Sequence, residues 1–201
     1  DAFRGIDFAL FSAGAARSKE FALAATRAGA VVIDNSSAFR MDPEVPLVIP
    51  EINPETALRH KGIIANPNCT AIVMLMPLKP LHDHARVRRV VATSYQAVSG
   101  AGAKAIEELR GQVTAWVKGE PLTAEVFPHQ IAFNVLHHVD AFLENGYTRE
   151  EMKLVHETRK ILGDETIQVS PTAVRVPVFR AHAVAVNVET ERPVSAATAR
   201  E

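Results

Sequence analysis

The chain has 201 residues, of which 47% are hydrophobic and 22% are charged, and its formal net charge is −1. This length is sufficient for one or two domains with a sizeable core. The near-neutral charge argues against a broad nucleic-acid-binding face, and no stretch is long and apolar enough to cross a membrane. The single cysteine excludes an intramolecular disulfide framework and any metal site built from several cysteines.

The first forty residues have the pattern strand, helix, strand. Residues 6–11 form a short apolar run that is typical of a buried parallel strand. The alanine-rich segment 16–28 predicts a helix that stops at Gly29, and residues 31–34 predict the next strand. This order indicates one crossover of a doubly wound parallel sheet.

Two polar turns follow these predicted strands, at residues 12–14 and 35–40. Ligands of doubly wound sheets bind beyond the carboxyl ends of the strands, so both turns are candidate binding elements. No glycine-rich phosphate loop precedes the first strand, and residues 195–201 resemble the beginning of a helix. We therefore expect a fragment of a longer protein, with a partial dinucleotide-binding domain over residues 1–67.

The only cysteine lies at the beginning of a predicted helix over residues 69–81, in which Pro77 and Pro80 are expected to produce a kink or an end. Asn68 is a suitable N-cap, which places Cys69 in the first turn. The unpaired N–H groups and the dipole of that turn favour a negatively charged sulfur, the nucleophilic form. Cys69 is therefore a candidate covalent catalyst, and a structural cysteine is the alternative.

A strand rich in β-branched residues is predicted at 87–96, followed by a flexible turn at 99–102 and a helix. Four apolar residues are predicted to share one face of that helix: Ile106, Leu109, Val113 and either Trp116 or Val117. Such a face would pack against the core of the second half of the chain.

Residues 120–147 are rich in His, Pro and Asn and are predicted to be irregular. Thr148 and Glu151 form a Thr-x-x-Glu capping box that opens a helix ending near Leu162. Two apolar, β-branched runs then predict strands, at residues 168–178 and 182–188. The second domain, residues 68–201, is therefore expected to be of the α+β class with a mixed or antiparallel sheet.

Several short segments together resemble the aspartate-semialdehyde dehydrogenase family, and they occur in the order and at the spacing of that family. The matching segments are Ser12–Gly14, Asp34–Met41, Pro50–Asn53, Asn66–Thr70, Gln96–Gly102, Glu150–Lys153 and Arg175–His182. One such tripeptide would be weak support, whereas seven segments in order across nearly the whole chain are strong support.

The resemblance implies the reversible, NADP-dependent reductive dephosphorylation of 4-phospho-L-aspartate to aspartate 4-semialdehyde. This reaction belongs to the biosynthesis of lysine, threonine, methionine and isoleucine. A thiolate attacks the acyl phosphate and expels phosphate, and hydride from NADPH reduces the resulting thioester. A preference for NADP over NAD rests on the family alone.

The resemblance assigns the catalytic roles to Cys69 as nucleophile, His182 as acid/base and Gln96 as a hydrogen-bonding partner of the substrate. An imidazole titrates near neutral pH, which suits an acid/base. A structural histidine at a strand end and a polar strand terminus are the alternative interpretations of His182 and Gln96. The seven-residue offset between Arg175 and His182 matches the family and supports the catalytic interpretation.

For the substrate, Arg175 is expected to clamp the α-carboxylate, because a planar guanidinium makes two parallel hydrogen bonds to a carboxylate. Arg180 is the competing candidate. The resemblance assigns the substrate's amino group to Glu150 and phosphate to Lys153. A surface ion pair is the alternative for these two residues, which lie three apart on one helix.

Arg40 matches a second phosphate-binding cation of the family, and Asn68 is expected to assist the substrate or to act only as a cap. The resemblance also implies the cofactor-binding residues. Ser12, Ala13 and Gly14 permit a close approach of backbone to nucleotide, and Ser99 and Gly100 match a stretch of the family near the nicotinamide half, with an ordinary turn as the alternative. A metal at His137 and His138 is not expected, because no third ligand has suitable spacing.

The expected partners are the small-molecule substrate, phosphate and further copies of the chain, as a homodimer or homotetramer. Neither nucleic acid nor a membrane is expected as a partner, and a thiol that must stay reduced suits the cytoplasm. Two other functions stay open at this point. One is N-acetyl-gamma-glutamyl-phosphate reductase, which also uses Cys and His on an acyl phosphate, and the other is a catalytically silent dimerisation module.

Overall fold

The computed structural model describes residues 2–201. Its strands are β1 (Phe8–Phe11), β2 (Val31–Asp34), β3 (Ile63–Ala65), β4 (Val87–Gln96), β5 (Gln168–Arg175) and β6 (Ala183–Thr190). Its α-helices are α1 (Ala15–Arg27), α2 (Cys69–Ala85), α3 (Ala103–Lys118) and α4 (Arg149–Leu162). Short 3-10 helices lie at Pro54–Arg59, Val98–Ala101 and Thr198–Arg200.

The first sheet is parallel and has the strand order β1-β2-β3. Phe8 is paired with Val31, and Val32 is paired with Ile63, so the strands are aligned along their length. Helix α1 connects β1 to β2 as a crossover, and Gly29 beyond its end has a φ of 95°, a conformation that glycine adopts readily. The predicted β-α-β unit is confirmed.

Polar side chains form a hydrogen-bonded row at the carboxyl edge of this parallel sheet. Asn35, directly after β2, donates from Nδ2 to Ser12 Oγ at 3.3 Å. Asn66, directly after β3, donates from Nδ2 to Asn35 Oδ1 at 2.7 Å. The three residues therefore line the edge at which ligands of parallel sheets bind.

The second sheet is mixed and has the order β5-β4-β6. Strand β4 pairs with β5 in parallel and with β6 in antiparallel orientation. The predicted combination of a partial parallel sheet with an α+β part and a mixed sheet is confirmed. The observed bounds of β4 coincide with the predicted strand, because a run rich in β-branched residues favours a strand over a helix.

The chain divides into two compact units. The first comprises the described residues up to Arg86 together with His156–Ile167 and Arg192–Glu201, and the second comprises Val87–Val155 and Gln168–Glu191. Helix α4 thus contributes its first half to the second unit and its second half to the first. The proposed domain boundary at residues 67 and 68 stays a prediction.

Helix α2 runs through both of its prolines to Ala85, so the expected end near residue 81 is wrong. The expected kink stays a prediction. The carbonyl groups that Pro77 and Pro80 leave without a helical donor belong to Val73 and Met76. Both residues are 42% exposed, so they belong to the exposed side of the helix. The opposite side buries Met74, Leu75 and Leu78, and this packing stabilises the continuous helix.

The buried face of α3 differs from the predicted one. Ala105, Leu109 and Gln112 are buried, whereas Trp116 is 59% exposed and contacts the ring of Phe133 at a centroid distance of 4.9 Å. The predicted stripe is therefore wrong toward the end of the helix. The apolar repeat of α3 continues beyond the residues that the core covers.

The segment between α3 and α4 contains no helix or regular strand, as predicted, and polar side chains of α3 hold it in place. Gln112 Oε1 accepts the N–H groups of Ile131 and Ala132 at 3.0 and 2.8 Å. Glu108 accepts the N–H groups of residues 125–127. Main-chain groups without secondary structure thereby gain the partners that burial requires.

No helix within residues 2–201 is both long and apolar enough to cross a membrane.

Candidate active site

The cysteine lies at the first position of α2 and is exposed. The Asn68 side chain accepts hydrogen bonds from the N–H groups of Thr70 at 2.9 Å and Ala71 at 3.3 Å, so Asn68 is the N-cap as predicted. Cys69 Sγ lies 4.0 Å from Thr70 Oγ1. The sulfur is thus presented to solvent at the positive end of a helix dipole.

A buried carboxylate completes the cap from elsewhere in the chain. In a capping box, a Glu or Gln at the third helical position accepts the N–H of the N-cap residue. That position in α2 is Ala71, which cannot do so. Glu157 of α4, which is 1% exposed, supplies the missing acceptor through a 2.6 Å hydrogen bond from the Asn68 N–H.

Arg40 supports the same turn and is only 8% exposed. Its Nη1 lies 3.3 Å from Glu157 Oε1, its Nε donates to the carbonyl of Asn66 at 2.9 Å, and its Nη2 donates to the carbonyl of Asn35 at 3.2 Å. The expected contact of Arg40 with phosphate stays a prediction. Nη1 and Nη2 each carry a second N–H, which a phosphate oxygen can accept.

We expect Glu157→Gln to lower the free energy of unfolding by about 3 kcal/mol, because it leaves the buried Arg40 guanidinium without its counter-ion. The exposed pair of Arg17 and Glu20 offers a matched control, since Glu20→Gln should change stability by less than about 1 kcal/mol. Urea unfolding of both variants measures the difference. Equal, small effects would show that the buried pair does not stabilise the turn before Cys69.

The second unit brings three predicted site residues to one edge of its sheet. Gln96 ends β4 and Arg175 ends the parallel strand β5, and these residues are register partners. His182 precedes β6, which runs antiparallel to β4, and its neighbour Ala183 is paired with Tyr95. Strand direction therefore places Gln96, Arg175 and His182 at the same end of the sheet.

A chain of polar side chains extends from Gln96. Its Nε2 donates to Glu150 Oε1 at 3.1 Å, and Lys153 Nζ bonds Glu150 Oε2 at 2.8 Å and Asp140 Oδ2 at 3.1 Å. Glu150 is buried, so the pair is not the ordinary surface ion pair that the spacing alone suggests. The positive charge of Lys153 is therefore held in place by two carboxylates, those of Glu150 and Asp140.

The charges of this group reinforce one another. Burial lowers the pKa of Lys153, but the carboxylates of Glu150 and Asp140 outweigh it, and the net pKa is raised. Burial raises the pKa of Asp140, but hydrogen bonds from the Ala141 N–H and from Lys153 outweigh it, and the net pKa is lowered. Lys153 thus stays an ammonium and Asp140 a carboxylate at neutral pH.

Arg175 is buried and borders an open cavity of about 510 Å³. Its Nη1 donates to the carbonyl of Ala97 at 2.8 Å, and its guanidinium lies 6.0 Å from the centre of the Phe127 ring. His138 and Asp140 also line this cavity. A guanidinium held in this way can present its remaining edge to a carboxylate.

The His182 ring is partly exposed, and its Nδ1 accepts the Ala97 N–H at 3.0 Å. Burial and then the positive charge of Arg175 lower the pKa of His182, although the Glu150 carboxylate opposes them. The imidazole is therefore neutral at neutral pH.

The residues near the start of α1 fit the approach of a dinucleotide phosphate. Gly14, the N-cap, has a φ of 89°, no side chain caps the helix, and the space around a Cβ at this position is open. Backbone N–H groups at a helix start of this kind bind phosphate. Among residues 2–201, no group of three or more His, Cys, Asp or Glu side chains is arranged to hold a metal ion.

The first unit has a parallel sheet and an exposed cysteine at a helix start, and the second has an arginine and a histidine at one edge of a mixed sheet. Sheets and helices combined in this way define the α/β class of proteins. The sequence matches the family described as "Semialdehyde dehydrogenase, dimerisation domain" over residues 78–201 and "Semialdehyde dehydrogenase, NAD binding domain" over residues 1–60.

Curated relatives and a solved structure agree with this match. The chain is 57% identical to aspartate-semialdehyde dehydrogenase of Aquifex aeolicus over 100% of its own length and 60% of that protein, and 52% identical to that of Legionella pneumophila over 98% and 58%. A structure of aspartate semialdehyde dehydrogenase II of Vibrio cholerae complexed with ASA has a TM-score of 0.95 at 50% identity, over 96% of this chain and 58% of that one.

The chain belongs to the semialdehyde dehydrogenase family. It spans about three fifths of the length of the curated relatives it matches.

The site residues fall into two groups, each described within its own unit. Cys69, Asn68 and Arg40 belong to the first unit, and the approach of Cys69 to His182 stays a prediction. Three neighbours that sequence analysis missed are Glu157, Asp140 and Phe127. Glu157 is 89 residues from its partner Asn68, so no local pattern could have indicated it.

Proposed function

We propose that the protein catalyses the NADP-dependent reductive dephosphorylation of 4-phospho-L-aspartate to aspartate 4-semialdehyde through a thioester on Cys69. The observation that carries the proposal is the edge of the mixed sheet where Gln96, Arg175 and His182 meet, with Glu150 and Lys153 attached to it. This set offers one cation and one anion for an amino acid's charged groups, and a second cation for phosphate.

Acylation requires the Cys69 sulfur to attack the acyl carbon while the bond from carbon to the phosphate oxygen breaks. Phosphate leaves with the electron pair of that bond, and Lys153 offsets its negative charge. Arg40 is proposed as a second phosphate ligand on the resemblance. Arg175 holds the α-carboxylate and Glu150 the amino group, which fixes the acyl carbon before the attack.

Bound NADPH supplies the hydride that reduces the thioester. His182 serves the acyl oxygen as acid/base when that oxygen becomes negative, and Gln96 positions the Cys69-bound group by hydrogen bonding. When the carbon–sulfur bond breaks, the aldehyde is released and the thiolate is regenerated.

For the cofactor, Ser12, Ala13 and Gly14 are proposed to face the phosphate side, where the open space at Gly14 permits close approach. Ser99 and Gly100 are proposed to lie toward the nicotinamide side. The preference for NADP over NAD is proposed from the resemblance to the family alone.

We propose a homodimer or homotetramer in the cytoplasm. The match to a dimerisation domain over residues 78–201 supports self-association, and a reducing compartment keeps Cys69 as a thiol. Light scattering of the full natural chain at micromolar concentration measures the mass, and a monomer would contradict the assembly.

The reaction is tested in the oxidative direction with the full natural chain, NADP, phosphate and either aspartate 4-semialdehyde or N-acetyl-glutamate 5-semialdehyde. We expect phosphate-dependent formation of NADPH with the first aldehyde at a kcat/KM at least about a hundredfold higher, because a site with a carboxylate for the amino group discriminates strongly against an acylated amine.

Faster turnover of the N-acetylated aldehyde would overturn the proposal in favour of the glutamyl-phosphate reductase. Binding of NADP without turnover of either aldehyde would favour a silent module.

A further inference from the structure

The turn between β4 and α3 touches both functional side chains of the mixed sheet's edge. Both contacts involve Ala97. Its N–H donates to His182 Nδ1 at 3.0 Å, and its carbonyl accepts a hydrogen bond from Arg175 Nη1 at 2.8 Å. Both bonds are made by main-chain atoms of a fully buried residue. The two side chains therefore share one rigid anchor.

Gly100, three residues further along, lies directly against the same two side chains. A Cβ at this position would stand 2.9 Å from Arg175 Nη1 and 3.3 Å from His182 Nε2. A separation below 3.0 Å forces Arg175 Nη1 to move, and this movement disturbs its hydrogen bond to the Ala97 carbonyl. A side chain at residue 100 therefore changes the placement of the Arg175 guanidinium.

The turn itself cannot retreat to make room. The N–H of Val98 donates to the carbonyl of Val178 at 2.9 Å, and the N–H of Ser99 donates to that of Phe179 at 3.2 Å. Val98 is also completely buried. The segment that leads to His182 is therefore fastened to the turn at several points.

We infer that the Ala97–Gly100 turn is the positioning element of this site. The turn fixes the hydrogen of His182 on Nε2 and sets the direction of the Arg175 guanidinium. Both effects depend on Gly100, which leaves room for the two side chains. A nitrogen that accepts an N–H hydrogen bond carries no hydrogen itself, so neutral His182 carries its hydrogen on Nε2. The inference rests on the proposed function for its catalytic meaning.

The consequence for the chemistry is that His182 first acts as a hydrogen-bond donor. Nε2–H can stabilise the negative oxygen that forms on the acyl carbon. For neutral His182 to act as a base at Nε2, its hydrogen would have to lie on Nδ1. That hydrogen would point at the N–H hydrogen of Ala97 and replace the hydrogen bond with repulsion. The charged neighbours of the ring are Arg175 from β5 and Glu150 from α4, and burial and Arg175 keep the pKa of His182 low.

The tautomer is measured by long-range ¹H–¹⁵N spectra of the full natural chain, with His182→Asn used to assign the ring signals. We expect the wild-type protein at neutral pH to show Nε2 as the protonated nitrogen and Nδ1 as the unprotonated one. A wild-type ring with its hydrogen on Nδ1 would overturn the inference, whether or not the enzyme turns over.

The steric effect at residue 100 is tested by Gly100→Ala, with Gly111→Ala as the matched control. Gly111 lies in α3, and a Cβ there meets no atom within 4 Å. We expect Gly100→Ala to raise KM for the semialdehyde by roughly tenfold or more, through loss of a charge-assisted hydrogen bond from Arg175, and to alter the His182 ring signals. Gly111→Ala should change neither.

Each outcome separates the inference from the proposed function. Unchanged KM and unchanged ring signals in Gly100→Ala would overturn the inference while leaving the reaction intact. An inactive wild-type enzyme whose ring signals respond to Gly100→Ala as expected would overturn the reaction and support the positioning role. Should Gly100→Ala fail to fold, the wild-type tautomer decides the matter.

Discussion

Cys69→Ala is expected to reduce turnover to the background rate, a loss of about a thousandfold or more. The 201 residues contain no second thiol that could form the thioester. The substitution should leave the fold intact, since the side chain is exposed at the first position of α2. Steady-state rates of the full natural chain with aspartate 4-semialdehyde, NADP and phosphate measure the loss.

Val73→Ala is a suitable control for this prediction, because Val73 is also partly exposed on α2. It should retain most of the activity. Intact-mass spectrometry after incubation with aldehyde and NADP, without phosphate, should detect an acyl adduct on the wild-type chain and none on Cys69→Ala. Near-normal turnover without the sulfur would contradict the covalent mechanism.

His182→Asn is expected to lower kcat by about a hundredfold, the usual size of the contribution from a positioned imidazole. Burial and the charge of Arg175 lower the pKa of His182 from its ordinary value of 6.5. The ring therefore takes up a proton at a lower pH than an ordinary histidine does. Protonation at Nδ1 would break the hydrogen bond from the Ala97 N–H, so activity should decline at that lower pH.

The pH profile of His182→Asn should lack this acidic decline. A variant that keeps both the rate and the acidic limb of the wild type would show that another group titrates. His156→Asn serves as the control, because His156 is exposed and no catalytic role is assigned to it.

Local sequence patterns predicted the elements that local energetics control. Strand β4 was placed by its β-branched residues, and the start of α4 was placed by Thr148 and Glu151. The structure shows both hydrogen bonds of that capping box, since the Thr148 N–H donates to Glu151 Oε2 at 2.7 Å and the Glu151 N–H donates to Thr148 Oγ1 at 3.2 Å.

Features that depend on distant contacts were not predictable in this way. Pro77 and Pro80 remain inside α2 because the opposite face of the helix packs into the core, and a proline pattern does not carry this information. The buried face of α3 is set by the loop that Gln112 binds, rather than by the apolar period alone.

The candidate site shows the same division. Cys69 could be chosen from its motif and its cap, whereas the surroundings that give Arg175 its role could not. Its neighbours Ala97 and Phe127 lie far along the chain, and their contacts arise only once β4 and β5 are paired.

Glu108 binds the main-chain N–H groups of residues 125–127, so the path of this part of the segment between α3 and α4 is held by bonds that do not involve the Phe127 side chain. Residue 127 can therefore change while those hydrogen bonds are kept, whereas Ile131 and Leu136 of the same segment are buried in the core. Phe127 borders the cavity beside Arg175. A library of substitutions at residue 127 is accordingly a practical starting point for admitting longer amino-acid aldehydes.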